Sequence, residues 1–128
     1  MDVLHLPQKL SPRLYEILYN DLKYELNKNK VFILDFVYLR KNAWVIEVGD
    51  YDFLTFINHK FSWKRKLFAL AHEAGHWFRF EKGKFIKSKF AGEKIANARA
   101  INVLKFFRVK KTKEEYMKFY EKFKIKKI

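Results

Sequence analysis

The sequence contains no cysteine, which excludes disulfides, thiolate metal sites and a cysteine nucleophile. Any bound metal must then rest on nitrogen and oxygen donors. It also has no uninterrupted apolar run of about 18 residues, the length a membrane-crossing helix requires. Residues 1–10 include Asp2 and Pro7 and no apolar run of signal-peptide length. The expectation is a cytoplasmic protein without a transmembrane segment. There is no glycine-rich phosphate loop, no internal repeat and no low-complexity linker. What is present is 128 residues with 49% hydrophobic and 33% charged side chains, a balance that favours a folded core over disorder. That length suits one domain, so 1–128 is read as a single unit.

The formal net charge is +14, which raises encounter rates with nucleic acid, anionic membranes or acidic protein surfaces without naming a partner. Nine basic residues lie between Arg108 and Lys127, against only Glu114, Glu115 and Glu121. A solvated basic helix face is the simpler account of this run, and contact with nucleic acid or membrane is the functional one.

Ser11-Pro12 has the chemistry of a helix start: the hydroxyl can accept from a free backbone amide, and proline fits the first helical position. Leu14, Leu18 and Leu22 recur every fourth residue with Ile17 beside them, down to the break at Asn27-Lys28-Asn29-Lys30. Short β-branched and aromatic runs at 31–39, 43–48 and 53–57 predict three strands, with turns at Arg40-Lys41-Asn42 and Gly49-Asp50. Their expected product is a small, mainly antiparallel sheet, which needs a cover on its apolar face. Ser62 caps a second predicted helix that continues to about residue 80, where Gly83 ends the pattern. A third helix is expected over 90–109 and a fourth over 112–123, with Thr112 as cap and Glu115 at the capping-box position. The fold class is therefore α+β. Phe36, Phe53, Phe56, Phe78 and Phe106 fall at core-like positions, which favours packing over a base-stacking platform.

His72-Glu73-Ala74-Gly75-His76 has the spacing HExxH. On a helix, residues four apart share one face, so two imidazoles can share one ion. Chance would yield this spacing in roughly one chain in a hundred of such histidine content. A catalytic zinc takes three protein ligands and leaves a position for water, so a third ligand is required. The next predicted helix offers Glu93-Lys94-Ile95-Ala96-Asn97, in which Glu93 and Asn97 again share a face. Glu93 is placed to ligate, and Asn97 to accept the second ring N–H of a metal-bound histidine. Gly75, Ala96 and Ala100 are small enough for two helices to approach closely. His5 and His59 lie outside the motif and are excluded from the metal site.

Leu70-Ala71-His72-Glu73-Ala74-Gly75-His76, followed by Glu93-Lys94-Ile95-Ala96-Asn97, resembles the gluzincin metallopeptidases, most closely their ImmA/IrrE-type and minigluzincin branch. The resemblance covers about the middle half of the chain and implies a zincin-like fold: N-terminal helix, three-stranded sheet, HExxH helix, glutamate helix and C-terminal helix. It implies one Zn2+ per chain held by His72, His76 and Glu93, with Glu73 as general base for peptide-bond hydrolysis. It also implies an edge strand ahead of the motif helix that holds extended peptide by antiparallel pairing. Residues 53–58 stand in that place, with Phe53, Leu54, Thr55, Phe56 and Ile57 as substrate-binding candidates. Tyr51, His59 and Tyr116 are alternative stabilisers of the oxyanion, and the sequence does not choose among them. No helix-turn-helix or sensory domain is recognisable.

Two other readings compete with an active peptidase. One is a basic nucleic-acid-binding module with a structural or accidental metal site. The other is a zymogen-like peptidase whose segment 111–128 covers the cleft of its own molecule or of a homodimer partner. Composition generates a separate expectation. Abundant lysine, nine glutamates, a single glutamine at Gln8 and no cysteine resemble the make-up of proteins from very hot environments. A thermal midpoint above the mesophile range of about 45–65 °C is expected from calorimetry, and a midpoint inside that range removes the reading.

Overall fold

The computed structural model describes residues 11–36, 43–48, 52–88 and 91–107. The first helix, α1 (Pro12–Lys28), starts where its chemistry indicates, with Ser11 Oγ accepting from the Leu14 amide at 3.2 Å. Its buried stripe is Tyr15, Leu18, Tyr19, Leu22 and Leu26, rotated slightly from the leucine ladder, because Ile17 is 42% exposed. The two tyrosines turn the helix. Tyr15 meets Phe68 edge-on at 6.4 Å and Tyr19 packs on Trp63 at 5.6 Å, contacts that bury more apolar area than an isoleucine could.

Lys30, at φ 63°, turns the chain from α1 into β1 (Val31–Phe36). With β2 (Ala43–Val48) and β3 (Asp52–Asn58) it forms a three-stranded sheet of order β1-β3-β2. This corrects the mainly antiparallel expectation: β3 pairs parallel with β1, Val31 opposite Phe53, and antiparallel with β2, Val45 opposite Thr55. The three strands alternate in direction and β3 inserts between the other two, so one pair of each kind is unavoidable. Phe53, Thr55 and Ile57 face the helices and are buried, as are Val31 and Ile33. The opposite face carries the exposed Phe32 and Leu34 and the half-buried Leu54 and Phe56.

The central helix is α2 (Trp63–Trp77), capped by Ser62. It lies against α1 and under β3 and β2, and every residue from Lys66 to Trp77 is buried. A helix apolar on one stripe only could not be covered all round in this way. Lys66 is accommodated with its ammonium 4.4 Å from the Trp63 ring centre, a cation–π contact. On the sheet side Trp77 stacks on Phe53 at 3.7 Å.

The helix ends at Trp77, three residues before its expected end. Phe78 and Phe80 alternate with Arg79 and Glu81, a period of two that suits a strand, and β4 (Phe78–Glu81) pairs with β5 (Lys84–Lys87). Gly83 is the turn of this hairpin rather than a helix stop. Lys82 at φ 49° and Gly83 at φ 77° are the two left-handed residues that a tight hairpin loop demands. The third helix, α3 (Glu93–Phe106), is shorter than the expected 90–109 and lies along α2 through Ala96, Asn97, Ala100, Val103 and Leu104. Phe106 is not a core residue. It is 43% exposed and tilts against Phe80 at 4.5 Å.

The architecture is thus α+β, with three described helices and two small sheets. Among the described residues no helix is long and apolar enough to cross a membrane. The expected fourth helix, the segment 111–128, the turns at 40–42 and 49–50, His5, Tyr51 and Tyr116 lie outside the described residues.

Candidate metal centre

The middle of α2 places three polar side chains in an otherwise apolar interior. His72 and His76 are each 3% exposed and Glu73 is 9% exposed. The four-residue spacing stacks the two imidazoles one turn apart, their centroids 4.9 Å from each other and their planes at 87°. The candidate ligand atoms of His72, Glu73 and His76 all lie within 4.8 Å of one another, close enough for one metal ion.

The start of α3 adds the residues that the second motif singled out. Glu93 reaches across so that its Oε2 is 2.8 Å from His72 Nε2 and its Oε1 is 3.2 Å from His76 Nε2. Asn97, one turn further on, accepts from His72 Nδ1 through its Oδ1 at 2.7 Å. On the other histidine, Nδ1–H donates to the Ala91 carbonyl at 2.6 Å. A carbonyl oxygen only accepts, so this bond fixes the tautomer. Both rings therefore carry a hydrogen on Nδ1 and turn Nε2 toward Glu93.

Each Nε2 thus faces a carboxylate oxygen, which is an acceptor. Such a contact requires a proton or a cation between the partners. Burial lowers the pKa of His76 below 6.5 and His72 adds to that effect, while the Ala91 hydrogen bond and Glu93 act against it. A proton on His76 is thus disfavoured near neutral pH, and a metal ion satisfies the same donor set with neutral imidazole.

Two carboxylates flank the histidines, and helical geometry separates them. Glu73 follows His72 by one residue, about 100° around α2, so it stands beside the histidine pair. Glu93 approaches the two Nε2 atoms from the facing helix and contacts both. Both carboxylates are thus within reach of the histidine pair: Glu93 contacts both Nε2 atoms, and Glu73 offers a ligand atom within 4.8 Å of theirs.

The substrate-binding assignment needs correction. Phe53, Leu54, Thr55, Phe56 and Ile57 belong to the middle strand, whose two backbone edges are taken by β1 and β2. They have no edge to offer an extended peptide. Pairing order is a long-range property, and the same alternating run suits an edge or a centre. Of the oxyanion candidates only His59 is described, exposed in the turn after β3.

Sequence reasoning missed the Ala91 carbonyl, because a backbone acceptor has no side-chain signature. It did find the small residues at the helix contact. A Cβ on Gly75 would overlap the carbonyl oxygen of Ala96 and lie 3.1 Å from its carbon. Backbone cannot rotate away, so the helices would have to separate.

Gly75→Ala is therefore expected to destabilise the fold by about 1–3 kcal/mol and to weaken metal binding in chelator competition. Gly92→Ala, whose Cβ would meet nothing within 4 Å, is expected to keep that binding. The His76 shift also has a sign. Its folded pKa is depressed, so the unfolded chain takes up the proton first, and the stability His76 contributes is present above about pH 6.5 and lost as pH falls through the folded value. Thermal midpoints of the metal-free protein should fall on acidification through this window, and His76→Gln should flatten that part of the profile. Compared with protein-family models, curated proteins and solved structures, the chain shows no match, so the reading of this centre rests on its residues and their geometry.

Proposed function

We propose that the chain is a zinc-dependent peptidase of the gluzincin kind. One observation carries this reading: two imidazoles with their Nδ1 hydrogens already committed aim both Nε2 atoms at a single carboxylate, Glu93. A buried second carboxylate, Glu73, stands beside them. Two nitrogens and one oxygen from facing helices suit zinc, which takes such ligands at about 2.0–2.2 Å and in catalytic sites keeps one position for water. His72, His76 and Glu93 would hold the ion.

A zinc ion held by these residues would supply Lewis acidity toward water and the scissile carbonyl. Glu73 then acts as general base, taking the proton of the attacking water and passing it to the leaving amine. Its burial suits that task, because a base screened from bulk water exchanges protons with the reacting groups rather than with solvent. Asn97 and Ala91 hold the imidazoles at the correct tautomer and angle. Extended peptide would lie along β2, which among the described residues is an outer strand packed on α2, since strand addition needs a backbone edge.

A structural zinc in a basic nucleic-acid-binding module would want four closed ligands and no base. Asn97 does not supply a fourth, because its oxygen is engaged by His72 Nδ1.

The test combines metal content with cleavage of a random peptide library, read by mass spectrometry. Wild type should hold zinc in a 1:1 ratio, and Glu93→Ala should lose it. Glu73→Gln should keep zinc while kcat/KM drops about 100- to 10,000-fold. Undiminished zinc affinity in Glu93→Ala, or undiminished cleavage in Glu73→Gln, contradicts the assignment.

A further inference from the structure

The last four carbonyls of α2 have no amide within the helix to accept from, and they lie one turn or less from His76. Each is answered. Phe78 N–H donates to Ala74 O, and Ala91 N–H donates to His76 O at 2.8 Å. Ser88 donates twice to Trp77 O, from its amide at 2.8 Å and its hydroxyl at 3.0 Å. The remaining carbonyl, Gly75 O, lies 3.5 Å from Arg99 Nη1, which also donates to Ser88 Oγ at 2.7 Å.

Arg99 thus ties three pieces together. It stands on α3, six residues after Glu93, and touches both the C-terminal turn of α2 and the link between β5 and α3. Ala91 belongs to that same link, and its carbonyl fixes the His76 tautomer. A guanidinium at a helix C-terminus also complements the partial negative charge there. The half-buried position of Arg99 limits competition from water.

We propose that Arg99, acting through Ser88, is a positioning residue for the metal centre: it locks the link at Ala91 against α2 and so sets the orientation of His76 and the reach of Glu93. It touches neither ligand. The inference rests on the metal reading above and adds to it a determinant of affinity outside the two motifs. Removing the guanidinium takes away the donor to Ser88 Oγ and to the Gly75 carbonyl, which leaves Ser88 tied to α2 only through Trp77 O and loosens the link without unfolding α2. Partners that orient metal ligands from outside typically account for about 10- to 100-fold in affinity.

Zinc dissociation constants by chelator competition, visible spectra of the cobalt-substituted protein and thermal midpoints of the metal-free protein test this in wild type, Arg99→Ala, Arg99→Lys and Ser88→Ala. Arg99→Ala should weaken zinc binding about 10- to 100-fold and alter the cobalt ligand-field bands. Ser88→Ala should move the same way by less. Arg99→Lys should recover part of the loss, since lysine restores the charge but not the planar fork. A purely structural arginine would lower the midpoint and leave both the dissociation constant and the cobalt spectrum of the folded protein at wild-type values, which overturns the proposal. If Arg99→Ala does not fold, wild-type values in Ser88→Ala overturn it instead. Wild type that binds no zinc brings down the metal reading itself, whereas zinc-binding wild type with an indistinguishable Arg99→Ala brings down this inference alone.

Discussion

The backbones of α2 and α3 meet at Gly75 and Ala96 with no room for a methyl group between them. That approach sets the distance across which Glu93 can reach two imidazoles on another helix. A glutamate side chain spans only a few ångströms, so Glu93 meets both histidines only if the helices themselves nearly touch. Gly75 lies inside the HExxH motif, beside His76, where the contact has to occur. A glycine in a helix interior costs roughly 0.5–1 kcal/mol relative to alanine, and here that cost secures a geometry that alanine would forbid.

The same contact explains how an apolar helix accommodates its polar centre. His72, Glu73, His76 and Asn97 are all buried, in a region otherwise built from Leu67, Phe68, Leu70, Ala71 and Val103. Buried polar groups are costly unless they are satisfied, and a partly satisfied cluster is worse than an apolar core. Both Nδ1 atoms have acceptors, and both Nε2 atoms face Glu93, a contact that a shared proton or a cation satisfies. Local rules broken at one place and compensated around it are the usual mark of a functional site.

Much of this was legible because it depends on local periodicity. The caps at Ser11 and Ser62 and the three strand runs are written in short stretches of residues. So are the shared faces of His72 with His76 and of Glu93 with Asn97. Other features depend on which distant segments meet. That β3 lies at the centre of its sheet follows from how β1 and β2 flank it, and alternation within 53–57 carries no trace of it. The β4–β5 hairpin was hidden because Trp77, Phe78 and Phe80 continue the aromatic and apolar run of the motif helix, and only the two-residue period distinguishes them. Ala91 meets His76 through its backbone carbonyl, which many residue types would supply equally well, and the partners of Arg99 lie 11 and 24 residues away in sequence.

Anomalous diffraction at the zinc edge from crystals grown with zinc tests the central claim most directly, because it distinguishes the two carboxylates. A single strong peak is expected at about 2.0–2.2 Å from His72 Nε2, His76 Nε2 and an oxygen of Glu93, with Glu73 outside bonding distance. A peak ligated by Glu73 in place of Glu93, or no peak between the two imidazoles, would contradict the account.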